Sequence, residues 1–309
     1  MELTQKTARS ALAGILLAST LTFNISCESA PASGSAIAET SSTQANEDGS
    51  VISDGSAGVS RPTEGSYSNQ LQAMAASSSC ALHSFSGRGR APLAYVKGMA
   101  LTFAKSYCRL KTSPANLTNI LSAAQGVSSL DALNLYASTF SGLGMNVNIG
   151  GESSLRSLYT LGIGLGMRES SGKYCEGRDM SASNTSASTA EAGMFQTSYD
   201  SMGASSELKN LFDEYRNDPS KCFQDVFKVG VSCGSSSISG SGIGAEYQVF
   251  NKTCPAFAAE YAMLMLRVKR NHYGPIIRKE AEVAPACNTM LKSVQDYIDS
   301  DLNACSDVL

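Results

Sequence analysis

Leu161-Gly162-Ile163-Gly164-Leu165-Gly166-Met167-Arg168-Glu169-Ser170 decides how this chain is read. With the residues before it, the run predicts a helix over 152–169, with Ser153 or Ser154 near its start. The uncharged stretch Leu161 to Met167 marks that helix as buried, and Glu169 is where a carboxyl group leaves it. Glycine in a helix interior costs about 1 kcal/mol relative to alanine, so Gly162, Gly164 and Gly166 need a reason. Gly162, Gly166 and Glu169 are separated by four and three positions and fall on one face. Such a flat face admits a neighbouring helix, or a substrate, close to the backbone where the carboxylate emerges. It is not a dinucleotide fingerprint, because no strand precedes it and the third glycine is misplaced.

Outward from this helix the pattern stays helical. Leu93, Val96, Met99, Ala100, Phe103 and Tyr107 recur at three- and four-residue spacing after Pro92 and predict a helix over 92–110. Shorter helices are expected over 117–124 and 129–140, the latter with Ser129 as N-cap. Others are expected over 191–199, 206–215, 256–270 and 288–297. Residues 170–188 read as a polar loop, and the Ser/Gly run 233–244 as another. Strand signals are few and no repeat is present, so the expected class is mainly α.

The N-terminus carries Lys6 and Arg9 before an apolar run, Ala11 to Phe23, of the length of a secretory h-region and short for a membrane span. The chain is therefore expected to be exported. Two processing sites fit. One lies before Cys27, which would then carry a lipid; the other follows Ala30-Pro31-Ala32 and would release a secreted protein. The small residue before Cys27 favours the lipoprotein, although Asn24 stands where such sites usually carry leucine. The expected organisation is a signal peptide over 1–27, a linker over 28–68 and a single domain over 69–309. The linker is Ser, Ala, Gly, Thr and Glu with almost no large apolar residue, too little to offset ordering entropy. A flexible tether of that length reaches roughly 35 Å. Periplasmic or outer-membrane lipoprotein, or secreted protein, are the expected locations.

Beyond Cys27 the chain holds Cys80, Cys108, Cys175, Cys222, Cys233, Cys254, Cys287 and Cys305, an even set that predicts up to four disulfides in an exported protein. No C-x-x-C pair occurs and the only histidines are His83 and His272, which argues against a zinc, redox or Cys-His nucleophilic role. His272-Tyr273-Gly274-Pro275 reads instead as a helix terminus. A formal charge of −3 gives no general attraction to nucleic acid. The cluster Arg267, Lys269, Arg270 reads as a solvated helix face.

The segment Gly166 to Gly172, followed by Ala190-Glu191-Ala192-Gly193-Met194-Phe195-Gln196, resembles the catalytic segment of the goose-type lysozymes and lytic transglycosylases. In that family a Glu-Ser pair ends a helix and a Gly-x-x-Gln element follows. The resemblance covers roughly 165–200, with weaker agreement over the flanking helices. It implies a lysozyme-like helical domain and no cofactor or metal. The implied substrate is peptidoglycan or a related β-1,4-linked amino-sugar polymer. Glu169 would be the general acid beside Ser170, while Gly193, Met194 and Gln196 would build the substrate site. A carboxylic acid in an apolar niche keeps its proton near neutral pH and can protonate a poor leaving-group oxygen.

The departures from the family pattern are informative too. The tyrosine that normally stands near the acid is not visible in its usual motif, and Tyr247 and Tyr273 are its replacements. The chain has no tryptophan, so sugar stacking falls to Tyr or Phe. The intervening loop is acidic, with Glu176 and Asp179, and Glu191 stands where the family carries a small or neutral residue. With Glu169 alone, the substrate's own N-acetyl group would assist and leave a 1,6-anhydro product. With Glu191 or Asp179 as a second working carboxylate, water would be activated as in an inverting hydrolase. The acids Glu176, Asp179 and Glu191 would also pair with an ammonium on a de-N-acetylated sugar, a strategy of the chitosanases, which are related at superfamily level. The alternatives are a catalytically silent lipoprotein that binds cell wall or a partner protein, and a cysteine-stabilised interaction module unrelated to lysozymes.

Overall fold

A computed structural model describes residues 66–126, 131–178, 183–234, 237–268 and 274–309. The signal peptide, most of the tether, Cys27, Ser129, Asp179, Lys269, Arg270, His272 and Tyr273 lie outside them. Helices α1 (Ser66–Ser77) and α2 (Ser79–Leu82) lead into a small antiparallel hairpin, β1 (Ser84–Phe85) and β2 (Gly89–Arg90), that pairs Ser84 with Arg90 and Phe85 with Gly89. There follow α3 (Leu93–Thr112), α4 (Asn116–Ser122), α5 (Ala132–Leu135), α6 (Ala137–Gly142) and α7 (Glu152–Ser170). After a long irregular stretch come α8 (Ser206–Asn217), α9 (Gln224–Phe227), α10 (Ile243–Thr253), α11 (Pro255–Val268) and α12 (Pro285–Ser300), with 3-10 turns at Tyr199–Ala204, Pro219–Cys222 and Leu302–Asp307. The mainly helical expectation holds. Helix α1 starts inside the stretch that composition assigns to the tether, and its Tyr67 is buried and donates to Asp301 Oδ2 at 2.7 Å.

Helix α7 runs through the core, packed against α3, α4, α11 and α12. It opens at Gly151, whose φ of 83° suits glycine, and carries Glu152 in its first turn, where the helix dipole favours an acid. It closes where Ser171 turns left-handed and the N–H groups of Ser171 and Gly172 return to the carbonyls of Met167 and Gly166. The glycine face serves packing and not substrate. A Cβ on Gly162 would sit 2.2 Å from the Met263 side chain, one on Gly164 1.9 Å from the Glu282 carbonyl oxygen, and one on Gly166 2.3 Å from Tyr95 Oη. Tyr95 in turn donates to the Ile163 carbonyl at 2.8 Å, which pins α3 to α7 just below Glu169.

Two other readings need correction. Residues 191–199 are not a helix: Ala192 and Thr197 pair as an antiparallel bridge around a turn, with Gly193 at φ 75° and Gln196 at φ 48°, both incompatible with α-helix. Arg267 is not solvated. It is 8 % exposed, lies 3.0 Å from Asp131 Oδ2 and donates to the carbonyls of Ala123 and Ala124, so it ties α11 to the end of α4. Asp131 itself caps α5 by accepting from Leu133 N–H at 2.9 Å.

A buried polar cluster ties α3, α8 and α11 together. Glu260 of α11, fully buried, accepts from Ser106 Oγ at 2.8 Å and Tyr215 Oη at 2.7 Å, with Lys105 Nζ at 3.5 Å. Burial alone would raise its pKa, but the Lys105 and Arg109 cations and these hydrogen bonds hold it below the usual carboxylate value. All eight described cysteines are paired, as Cys80–Cys287, Cys108–Cys305, Cys175–Cys233 and Cys222–Cys254, which fits an oxidising, exported environment. Among the described residues no helix is long and apolar enough to cross a membrane.

Candidate active site

The last turn of α7 brings Leu165 and Glu169, four positions apart, to one side of a cleft of about 300 Å³. Helix α11 supplies Ala262, Met265 and Leu266, the spacing of a single helical face. The turn after Ala192 supplies Phe195 to Ser198, and Gly274 to Ile276 close the remaining side. Glu191 stands at the base of that turn and lines the same cleft. Two carboxyl groups, Glu169 and Glu191, thus share one cavity with apolar walls.

Burial pushes the Glu169 carboxyl up to about 7; the Glu191 charge adds to this, and the guanidinium groups of Arg278, Arg88 and Arg168 oppose it. Position reinforces the shift, because a carboxylate at the C-terminal end of a helix meets the negative end of the dipole. The result is a carboxyl group that still carries its proton near neutral pH. Arg168 donates through Nε to Glu280 Oε2 at 3.0 Å, and Arg278 through Nε to Glu280 Oε1 at 2.7 Å. These hydrogen bonds, that of Arg278 foremost, hold Glu280 down to about 2, so it stays ionised.

The turn is fixed from behind by α10. Asn251 Nδ2 donates to Thr197 Oγ1 at 2.6 Å and to Tyr247 Oη at 3.0 Å, and Thr197 and Tyr247 share a hydrogen bond of 2.7 Å. Gly193 is required by contact as well as by φ, since a Cβ there would lie 2.5 Å from Asn251 Oδ1. Gln196 Nε2 donates to the carbonyls of Gly193 at 2.9 Å and Gly177 at 3.0 Å, and Gly193 N–H to Glu176 O at 3.0 Å, so the acidic loop is laced to the turn.

The residues expected from sequence therefore divide. Glu169, Glu191 and Gln196 face the cleft. Ser170 is buried and its Oγ donates to Gly166 O at 3.1 Å, while Met194 and Tyr247 are wholly enclosed in the core. These three, with buried Gly193, build the wall and do not reach a substrate, which corrects their assignment as contacts. Glu176 meets the turn through its backbone, and Asp179 and Tyr273 fall outside the described residues. Asn251, Arg88 and Arg278 carried no sequence signal, since none lies in a motif and all are remote from Glu169 along the chain.

A larger groove of about 440 Å³ runs between the end of α3 and α8, where Arg109 and Glu214 are paired with each other. Cys-His catalysis has no thiol among the described cysteines, and His83 Nε2 is engaged with Glu282 Oε1 at 2.7 Å. No group of three or more His, Cys, Asp or Glu suited to a metal ion occurs among the described residues. The chain matches no family model, and no curated protein or solved structure matches it significantly.

Proposed function

We propose that this protein cuts the β-1,4 bonds of peptidoglycan or a closely related amino-sugar polymer, with Glu169 as general acid. The observation that carries the reading is the Glu169 carboxyl, held up to about 7 at the end of a buried helix and facing a cleft that a second carboxylate shares. Protonated Glu169 donates to the glycosidic oxygen as the bond to the anomeric carbon breaks and positive charge grows on the sugar. Two routes complete the reaction. In one the substrate's N-acetyl oxygen attacks the anomeric carbon; the 6-hydroxyl of the same sugar then displaces it, giving its proton to the Glu169 carboxylate and leaving a 1,6-anhydro end, as in the lytic transglycosylases. In the other Glu191 removes a proton from water, which attacks and leaves a reducing end. Glu191 also offers an ammonium on a de-N-acetylated sugar a carboxylate partner within the cleft, where the lowered dielectric strengthens the pair. As an exported protein, anchored by a lipid on Cys27 or released after Ala32, it would meet the wall at the cell surface or in the periplasm.

Mass spectrometry of products tests this directly. The full chain is incubated with acetylated and with de-N-acetylated peptidoglycan, beside Glu169→Gln. The expected result is Glu169-dependent chain cleavage, with activity lowered by about 10²–10⁴-fold in the variant. Anhydro ends identify the first route and reducing ends the second. Equal products from wild type and variant would overturn the assignment of the acid.

A further inference from the structure

The cleft has a cationic rim that the general-acid chemistry does not use. Segment 274–280 closes the cleft through Gly274, Pro275 and Ile276, then folds back, with Glu280 N–H donating to Pro275 O at 2.8 Å and Arg278 N–H to Gly274 O at 3.3 Å. This return carries Arg278 and Glu280 to Arg168, the residue just before the acid. The β1–β2 hairpin docks just beyond that segment, where Ser86 N–H donates to Glu282 Oε2 at 2.8 Å and His83 engages the other oxygen. Its tip carries Arg88. Three arginines from three parts of the chain thus lie around Glu169, behind the residues that line the cleft, and the charges of all three are felt at its carboxyl.

Their state matters as much as their place. Arg168 and Arg278 share Glu280, so two guanidinium groups have one carboxylate between them. Arg88 is exposed, and among the described residues no carboxylate pairs with it. Arg168 and Arg278 each turn Nε and one Nη to Glu280, and with side chains 36 % and 55 % exposed their other Nη donors carry no carboxylate among the described residues. A guanidinium presents paired N–H donors that match a carboxylate.

We propose that Arg88, Arg168 and Arg278 hold a carboxylate of the substrate, so that the cleft selects carboxylate-bearing amino-sugar strands over neutral or purely cationic ones. This rests on the glycan-cleaving reading and adds to it. The anionic Glu191 and the cationic rim together would recognise a strand that carries both charges. Two sources supply the group in a wall polymer: the lactyl ether on alternate sugars, and the peptide stem joined to it.

The test compares four glycans on the full-length protein: strands with intact stems, strands stripped of stems by an amidase so that only lactyl carboxylates remain, and each of these after carbodiimide coupling has converted carboxylates to neutral amides. Cleavage is followed with wild type, and co-sedimentation with Glu169→Gln. Amidation is expected to lower kcat/KM and binding roughly tenfold, as loss of a charge-assisted hydrogen bond would. In Arg88→Gln/Arg278→Gln the native strands should behave as the amidated ones do with wild type. Loss confined to the intact-stem pair assigns the stem carboxylates, and loss confined to the stripped pair assigns the lactyl group. Equal cleavage of native and amidated strands by wild type, with equal co-sedimentation of Glu169→Gln, would overturn the proposal. If Glu169→Gln binding discriminates while wild type cleaves none of the four, the rim stands and the enzymatic reading falls.

Discussion

At Glu169 three influences meet: burial and the Glu191 charge favour the protonated acid, and the arginines favour the carboxylate. The proposed general-acid step needs the proton, so activity should be full well below the folded pKa and fall as pH rises through about 7. Replacing Glu191 by Gln removes a negative neighbour, lowers the proton affinity of Glu169 and should move that alkaline limb to lower pH in a profile of kcat/KM. An unmoved limb would mean that Glu191 does not set the acid. Glu169 was legible in the chain as a candidate, because a Glu-Ser pair after an uncharged helical run is a local pattern. Its surroundings were not, since Arg88 and Arg278 reach it only through a hairpin and a folded-back turn brought together by tertiary packing.

At the scale of elements, the closeness of α7 to segment 280–283 depends on Gly164, where the Glu282 carbonyl oxygen fills the place of a side chain. Gly164→Ala would gain helix propensity worth about 1 kcal/mol. A Cβ 1.9 Å from a backbone oxygen forces the two apart, however, and overpacking of this kind costs about 1–3 kcal/mol. A lowered Tm with reduced kcat/KM is expected, because the displaced segment continues directly from the turn at 274–276 that closes the cleft; a raised Tm would show that the backbone yields freely. Helices α3, α7, α11 and α12 could be read from their spacing because each buries an apolar stripe. The turn at 192–197 could not. Ala192, Met194 and Phe195 are apolar and mimic a helical face, while two left-handed residues and the side chain of a distant Asn251 decide the outcome. Helix α10 was hidden for the converse reason, since it buries the polar Gln248 and Asn251 where a pattern search expects apolar residues.

For the molecule as a whole, Cys80–Cys287 and Cys108–Cys305 join residues 207 and 197 positions apart and fasten α12 and the C-terminal 3-10 turn to α2 and α3. Closing loops of that length stabilises by about 5 kcal/mol in the chain-entropy account. Cys80→Ser/Cys287→Ser should therefore lower Tm substantially, as should reductant on wild type, with thermal melts followed by circular dichroism; an unchanged Tm would count against that account. Eight thiols in an exported chain foretold bridges, but the pairing needed the fold. The four links also overlap along the sequence. Every peptide bond between Cys80 and Cys305 is spanned by at least one of them, so a protease that nicks any single loop in that interval releases no fragment. The severed chain stays one covalent molecule, so a first cut does not take the protein apart.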